Sequence, residues 1–282
     1  MKPILSAQEL SAHLADPSWA VVDCRFDLMQ PDWGRQDFEK AHIPGSLYAD
    51  LNRDLAAPHT VHTGRHPLPD ILLFRQFLAA QGLSPEKTIV MVDTAFGAFA
   101  SRLWWMLYQI GYTNIAILDG GWAQWQKSGL PVESGPASPV PQPLSAIPEF
   151  TTFGGLSLQE VDHIRLSPLH KLIDARAPIR FQGKEETIDP VAGHIPGALN
   201  RFHSQNLTSE GLFKSPQELH AEFSQLLAGT PSENAVVYCG SGVTSCFHLV
   251  AMKYAGLQLA RLYPGSWSEW ILDPHRPIAV GE

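Results

Sequence analysis

The sequence predicts an α/β protein with two similar units, each built on a mostly parallel β-sheet flanked by helices. Two observations lead to this fold class. Short apolar runs of strand length alternate with longer segments that have helical apolar spacing, and this alternation is typical of parallel sheets covered by helices. The second half of the chain also repeats motifs of the first half in the same order, which indicates a duplicated unit.

Continuous apolar runs predict the strands, because strands buried on both faces lack the usual alternation of polar and apolar residues. Such runs occupy residues 20–23, 88–92, 115–118, 171–174 and 235–238. Helical spacing is found at residues 7–14, 72–81, 101–110, 216–227 and 246–254. Three of these helices are followed by Gly82, Gly111 and Gly256, and glycine just beyond the last turn is a common helix stop.

Three motifs carry the repeat. They are Asp-x-Arg at 23–25 and 174–176, His-Ile-Pro-Gly at 42–45 and 194–197, and the Gly and Trp positions of 120–125 and 264–270. Between the halves, residues 131–148 contain six prolines, a composition that ends helices and favours extended chain. We therefore expect a domain at 1–130, a proline-rich linker at 131–150 and a second domain at 151–282.

Composition narrows the classes of function. The chain has 282 residues, 44% hydrophobic residues and a formal net charge of −8, which fits a globular protein and gives no electrostatic reason to expect nucleic acid. No apolar stretch is long enough for a membrane span. Three cysteines are an odd number in a chain too large to need disulfides, so we expect a reducing cytoplasm and no contact with membranes.

The strongest chemical signal is the segment 238–246, in which a buried strand ends at Cys239 and passes through Gly240 and Gly242 into a helix. Glycines let backbone N–H groups point inward, and the amino end of the helix adds positive potential. Both effects favour a thiolate, which is a nucleophile and can carry a transferable group. The alternative is a buried structural cysteine, which the Gly-Ser-Gly setting disfavours.

These motifs together resemble those of the two-domain rhodanese-family sulfurtransferases over nearly the whole chain. The motifs at 174–176, 194–197, 239–244 and 265–270 occur in the family's order, and the first half carries matching motifs at 23–25, 42–45 and 102–105. In the first half, Asp93 or Thr94 stands where the second half has Cys239. The resemblance implies two rhodanese-like domains with the active site between them, of which only the second supplies the sulfur nucleophile, and no cofactor.

Within that family, the loop at 239–244 is similar to the loop of the 3-mercaptopyruvate branch, whereas thiosulfate-type members have basic residues after the cysteine. No Lys or Arg lies between Cys239 and Lys253, and a neutral loop suits a donor with one carboxylate and a thiol. The resemblance implies that Ser241 and His66 relay the donor's proton. It also implies a substrate-binding loop, formed by Gly240, Gly242, Val243 and Thr244.

Arg180 resembles the family arginine that binds the donor's carboxylate, and a guanidinium suits a bidentate carboxylate contact. In the 3-mercaptopyruvate branch a second arginine follows, but here the residues at 185–190 are Glu-Glu-Thr-Ile-Asp-Pro. We therefore expect one arginine in place of two. Asn52 stands where animal members have the acid that completes the relay, with Asp50 two residues before it.

Several functions remain open at this point. The first is transfer of sulfane sulfur from 3-mercaptopyruvate through a Cys239 persulfide to cyanide or to an acceptor thiol, such as thioredoxin or a low-molecular-weight thiol. Thiosulfate is the alternative donor. A cysteine-based phosphatase would need arginine at position 245, which is Ser245. A non-catalytic sulfur- or anion-binding module would predict no effect of changing Cys239.

Other conspicuous residues have a structural interpretation. His42 and His194 recur in a half that lacks the cysteine, so we expect them to hold turns by hydrogen bonds. The Asp-x-Arg motifs are expected to be ion pairs at strand ends, and Cys24 and Cys246 to be buried. The tryptophans are expected to pack in the core or between domains. His59, His62 and His66 lie in no metal-binding motif, so we expect no metal.

Overall fold

The computed structural model describes residues 1–281, and these form two compact units. Unit 1 contains residues 1–57, 68–153 and 209–212, and unit 2 contains residues 58–67, 154–208 and those from 213 onward. The segment 58–67 therefore belongs to unit 2, although it lies within the first half of the sequence. The domain boundaries predicted from the sequence stay a prediction.

Unit 1 is built on a five-stranded parallel sheet with the strand order β1-β5-β4-β2-β3. The strands are β1 (Ile4–Leu5), β2 (Trp19–Asp23), β3 (Leu47–Tyr48), β4 (Thr88–Val92) and β5 (Ile115–Leu118). The two longest strands pair along their whole length, from Trp19 opposite Thr88 to Asp23 opposite Val92. Their carboxyl ends therefore meet at one edge of the sheet, beside the loop that begins at Asp93.

Helices cover this sheet and alternate with its strands. They are α1 (Ala7–Ser11), α2 (Trp33–Lys40), α3 (Ile71–Ala80), α4 (Ala100–Gln109) and α5 (Gly121–Lys127). Gly82 and Gly111, just beyond α3 and α4, have positive φ as their positions predicted. The prediction of a helix to residue 14 was wrong, because α1 ends at Ser11 and the chain turns before Pro17.

Unit 2 has a four-stranded parallel sheet with the order β7-β6-β8-β9. Its strands are β6 (Lys171–Asp174), β7 (Ala198–Asn200), β8 (Ala235–Tyr238) and β9 (Arg261–Leu262). Strands β6 and β8 pair from Lys171 opposite Ala235 to Asp174 opposite Tyr238. The same topology as in unit 1 therefore brings the loop beginning at Cys239 to the carboxyl edge of the sheet.

The helices of unit 2 are α6 (Leu158–Ile164), α7 (Pro178–Phe181), α8 (Pro216–Leu227), α9 (Cys246–Tyr254) and α10 (Ser266–Trp270). Helices α6 and α8 begin with complete capping boxes, in which a serine and the glutamate three residues later exchange hydrogen bonds. The predicted α/β class with two mostly parallel sheets is confirmed. None of the helices in the described chain is long and apolar enough to cross a bilayer.

Each unit has its own core at the sheet. In unit 1 this core includes Trp122 and Trp125, and in unit 2 it includes Trp267 and Trp270. Trp104 and Trp105 of α4 are likewise almost completely buried, so the prediction that the tryptophans pack rather than bind ligand is supported by their burial.

Candidate active site

Cys239 is the first residue after β8, and its side chain lies at the carboxyl edge of the sheet of unit 2. The residue is 2% exposed. Its N–H donates to Ser266 Oγ at 3.1 Å, and its carbonyl accepts from the N–H of Trp267 at 3.1 Å. The backbone at the thiol is therefore fixed on both sides by the turn that begins α10.

Ser266 holds this position in an unusual backbone conformation, with φ of 55°. A non-glycine residue in this left-handed region is uncommon and costs free energy. The buried Ser266 hydroxyl donates to Tyr263 O at 2.9 Å while it accepts from Cys239, so two hydrogen bonds hold the residue there. The equivalent residue of unit 1 is Gly121, with φ of 57°. Serine thus adds a hydroxyl for Cys239 at a position that favours glycine.

Hydrogen-bond donors in the loop 239–245 surround the Cys239 thiol. Burial raises the pKa of this thiol, but the Thr244 hydroxyl and the N–H groups of Ser241 and Ser245 outweigh burial and hold the pKa below its ordinary value. These donors stabilise the thiolate more than the thiol. The loop therefore favours the thiolate of Cys239 without a lysine or arginine in the loop itself.

Two glycines of the loop are required by close contacts. Gly242 has φ of +71°, and a Cβ built there would lie 2.2 Å from Pro264 O. A Cβ on Gly240 would lie 2.9 Å from Nη2 of Arg65, and 3.8 Å from Nη2 of Arg180. Gly240 therefore lets the Arg65 guanidinium approach the backbone beside Cys239 closely, with Arg180 at ordinary contact distance.

The predicted proton relay is brought together in unit 2. His66 Nδ1 lies 2.7 Å from Ser241 Oγ, and both residues are buried, with exposed fractions of 5% and 6%. Ser241 is two residues from the thiol, and its N–H is one of the thiol's donors. A hydroxyl hydrogen-bonded to imidazole can pass a proton in either direction.

Arg180 lies in the site, as its motif predicted, and it is joined there by Arg65. The carboxylate of Asp189 bridges the two guanidinium groups, accepting from Arg65 Nη1 at 2.7 Å and from Arg180 Nη2 at 2.9 Å. Glu186 accepts from Arg180 Nε at 2.9 and 3.0 Å through its two oxygens. The site therefore contains two arginines and two carboxylates.

The carboxylate of Glu186 is itself held by backbone N–H groups. Glu186 Oε1 accepts from the N–H groups of Ile188 and Asp189 at 2.9 and 3.1 Å. Burial raises the pKa of Glu186, but its bonds to Arg180 and to these N–H groups bring the pKa below its ordinary value. The segment 186–189 is therefore a tight turn that presents Asp189 to the arginines.

The sequence motifs point to neither Arg65 nor Asp189 as a site residue. Arg65 directly precedes His66, and its N–H donates to Ser268 Oγ at 2.9 Å, which anchors the segment 58–67 on α10. That adjacency to a predicted catalytic residue is the only sequence signal for it. Asp189 lies in the stretch where the family's second arginine was missing, and its role becomes visible only through the contacts of Arg65.

Of the remaining predicted site residues, Val243 is 3% exposed and its carbonyl accepts from the N–H of Cys246 at 3.1 Å, which closes the turn into α9. Asp50 of unit 1 accepts from the N–H groups of Asn52 and Arg53 at 2.9 and 3.1 Å, so it caps a turn in its own unit. Within residues 1–281 no group of three or more His, Cys, Asp or Glu side chains forms a metal-binding cluster.

The structural interpretation of the repeated motifs is confirmed. His42 Nδ1 lies 2.8 Å from Phe38 O, and His194 Nδ1 lies 2.7 Å from Phe181 O. Both rings also stack on the same phenylalanines. The Asp-x-Arg motifs form buried ion pairs at the strand ends, each with a closest N–O distance of 2.7 Å. Cys24 and Cys246 are buried, and none of the three cysteines is in a disulfide.

In unit 1, Asp93 follows β4 at the position that Cys239 has after β8. Its carbonyl accepts from the N–H of Trp122 at 2.8 Å, as the carbonyl of Cys239 accepts from Trp267. The structure therefore assigns Asp93, and not Thr94, as the counterpart of Cys239.

Comparison with known proteins agrees with this fold. The model of the rhodanese-like domain matches residues 6–128 and 157–273. A Pseudomonas aeruginosa protein named "Probable 3-mercaptopyruvate sulfurtransferase" is 45% identical over 281 residues, which covers 99% of this chain and 98% of that protein. The mouse thiosulfate sulfurtransferase is 30% identical over 285 residues, covering 98% of this chain and 93% of its own.

Among solved structures, the 3-mercaptopyruvate sulfurtransferase from Leishmania major superposes with a TM-score of 0.84 at 33% identity, over 95% of this chain and 74% of that one. The chain belongs to the rhodanese-like family. It is an enzyme of the sulfurtransferase class, the class to which the names of these full-length relatives assign them.

Proposed function

We propose that this enzyme transfers sulfane sulfur from 3-mercaptopyruvate to an acceptor through a persulfide on Cys239. The observation that carries the proposal is the 2.7 Å contact of His66 with Ser241, beside a thiol whose pKa is held down by neutral donors alone. A donor that is itself a thiol must move its proton during the reaction, and this pair offers a path. The relatives named as 3-mercaptopyruvate sulfurtransferases support the same donor.

In the first step the Cys239 thiolate attacks the sulfur of 3-mercaptopyruvate. An S–S bond forms and the donor's C–S bond breaks, so the electron pair of that bond goes to the carbon and gives the enolate of pyruvate. The thiol proton passes through Ser241 and His66 to this carbon. The products are pyruvate and the Cys239 persulfide anion, which balances the atoms and charges of the two reactants.

Arg180 and Arg65 support binding of the donor's carboxylate. Arg180 is 16% exposed and Arg65 is 23% exposed at the side chain, so each retains a solvent-facing portion beside Gly240. Guanidinium groups form charge-assisted hydrogen bonds with carboxylates and fix their orientation. This contact would place the donor's sulfur next to Cys239.

In the second step an acceptor takes the outer sulfur and restores the Cys239 thiolate. The acceptor we propose is a thiol, either a low-molecular-weight thiol or the cysteine of a protein such as thioredoxin, and cyanide can serve in assays. The same loop donors that stabilise the thiolate stabilise it as the leaving group, which favours this second transfer.

Thiosulfate is the second candidate donor, because two arginines lie beside Gly240 and a full-length relative is named for thiosulfate. The two carboxylates that accompany these arginines argue against it, since they cancel the positive charge that a dianion would use.

The test is intact-protein mass spectrometry after the reduced enzyme is incubated separately with 3-mercaptopyruvate and with thiosulfate. We expect a gain of one sulfur atom from 3-mercaptopyruvate, with release of pyruvate, and no gain in the Cys239→Ser variant. A gain mainly from thiosulfate would favour the second donor. No gain from either donor would overturn the proposal.

A further inference from the structure

We propose that Asp189 determines donor specificity by neutralising the arginine pair of the active site, so that the site favours a donor with one negative charge over a dianion. The inference rests on the proposed function and concerns the same site. It follows from the placement of one buried carboxylate between two guanidinium groups, a contact that the catalytic chemistry itself does not require.

The geometry is that of a bound carboxylate. Each oxygen of Asp189 accepts from a different arginine, Oδ1 from Arg65 and Oδ2 from Arg180, and its side chain is only 2% exposed. Because the turn of Glu186 fixes the backbone N–H of Asp189 at 3.1 Å, the carboxylate is held in place by its own chain. The carboxylate therefore keeps its position between the two guanidinium groups.

The consequence is electrostatic. The charges of Arg65 and Arg180 are matched by those of Asp189 and Glu186, so these four groups together carry no net charge. The neighbouring loop adds no lysine or arginine before Lys253. A donor therefore gains directed hydrogen bonds from the arginines but little from net charge. Thiosulfate, with two charges, loses more from this balance than 3-mercaptopyruvate, with one.

The arginines need not be free of Asp189 to bind a donor. The Nε of Arg65 is buried and has no hydrogen-bond partner within residues 1–281, and its Nη2 faces Gly240. Arg65 contacts Asp189 through Nη1 alone. Asp189 can therefore stay in place during turnover and act on donor choice in every cycle.

The experiment compares kcat/KM for thiosulfate and for 3-mercaptopyruvate in the wild type and in Asp189→Asn. The variant removes one negative charge at nearly constant volume, so we expect the thiosulfate to 3-mercaptopyruvate ratio to rise about tenfold, equivalent to about 1.4 kcal/mol. Asp189→Glu keeps the charge and should keep the ratio within about twofold. A ratio of donors is insensitive to the fraction of folded enzyme, so a purely structural role would not change it.

The matched control is Asp162→Asn, which removes a carboxylate of α6 that pairs with two arginines, Arg165 and Arg276, away from the site, and it should leave the ratio unchanged. If Asp189→Asn does not fold, Asp189→Ser, which leaves room for water, gives the same comparison. An unchanged ratio in an active Asp189 variant would overturn this inference while the proposed function stands. Absence of transfer by the wild type from either donor would instead remove the proposed function, and this inference with it.

Discussion

The two units place different side chains in the same loop at the end of the same strand. In unit 1, Asp93 accepts backbone hydrogen bonds from residues 95 and 97 through Oδ1 and from residues 99 and 100 through Oδ2, at 2.7 to 2.9 Å. Burial raises the pKa of Asp93, and these N–H groups oppose that shift. In unit 2, the N–H groups of Ser241 and Ser245 act in the same way on the Cys239 thiol.

The comparison separates the contribution of the loop backbone from that of the side chains it carries. Both loops direct backbone N–H groups at the first side chain, and both have a left-handed residue at the fourth position, Phe96 with φ of 58° and Gly242 with φ of 71°. The hydroxyls of Ser241 and Thr244 have no counterpart in unit 1, where Ala95 and Ala98 take these two positions. Both copies of the loop therefore offer backbone N–H donors to their first side chain, and only the copy in unit 2 places a thiol there.

The largest effect is expected when the residue of unit 1 is placed in unit 2. Cys239→Asp should lower sulfur transfer by more than about a thousandfold, because no persulfide can form. The loop should keep its fold, since its N–H groups can bind a carboxylate as they do around Asp93. Pyruvate release and the midpoint of thermal unfolding test both points. Cys24→Ala is the control and should stay active, and any turnover by Cys239→Asp would contradict the assignment of the nucleophile.

The second effect concerns the hydroxyl that unit 1 lacks. Ser241→Ala should lower kcat/KM for 3-mercaptopyruvate by about a hundredfold, the usual range for loss of general acid–base catalysis. Thiosulfate carries no thiol proton, so transfer from it should fall much less. Steady-state kinetics with both donors tests this. His62→Ala alters an exposed histidine of the same segment and should change neither rate; an equal loss with both donors would argue against the relay.

The third effect concerns the Asp93 side chain of unit 1. Asp93→Asn should destabilise the protein by about 2 to 3 kcal/mol, because an amide can accept at only one atom and leaves buried N–H groups facing its NH₂ group. Urea unfolding measures this free energy, and kcat should stay within about twofold of the wild type in the folded variant. Asp162→Asn should change stability by less than about 0.5 kcal/mol. A stability cost no larger than that of the control would mean that Asp93 does not organise its loop.

The smallest effect is on the acidity of the thiol. Thr244→Ala makes the loop resemble unit 1 and removes the largest of the hydrogen bonds that lower the pKa of Cys239, so the pKa should rise. Because only the thiolate reacts, alkylation by iodoacetamide at pH 7 should slow by about tenfold, and the loss should disappear at high pH. Cys24 is the internal reference, since burial and nearby carboxylates raise its pKa well above the ordinary value and it should stay unreactive. An unchanged pH profile would show that the hydroxyl is not needed.

The sequence was sufficient for the parts of the molecule that rest on local patterns. Strands such as Thr88–Val92 and Ala235–Tyr238 are continuous apolar runs, and the structure places them where those runs lie. Strands of two residues, such as Ile4–Leu5 and Arg261–Leu262, have too few residues to show a pattern, since only pairing with a neighbour defines them. The tertiary structure defines these short strands, which the periodicity of the sequence cannot predict.

The same limit applies to the site. Cys239 and its loop are local and could be recognised, and His66 and Arg180 rest on motifs. Asp189 bridges Arg65, which lies 124 positions before it in the sequence, and Arg180, which lies 9 positions before it. No rule of sequence spacing could predict this bridge. Ser266 is a similar case. Its hydrogen bond with the N–H of Cys239 depends on a left-handed backbone conformation, which a serine residue in the sequence does not predict.

The loop around Asp93 also shows how oxidation would act on its counterpart. A sulfinic acid on Cys239 would carry two oxygens on the atom bonded to Cβ, which is the arrangement of the Asp93 carboxylate. Backbone N–H groups that suit one would suit the other. A thiol with a lowered pKa is present to a greater extent as the thiolate, which is the form that attacks peroxides. Oxidation beyond the sulfenic state is irreversible without a dedicated repair enzyme. Overoxidised enzyme would therefore be a well-folded protein in which both loops hold a fixed anion and neither can carry sulfur.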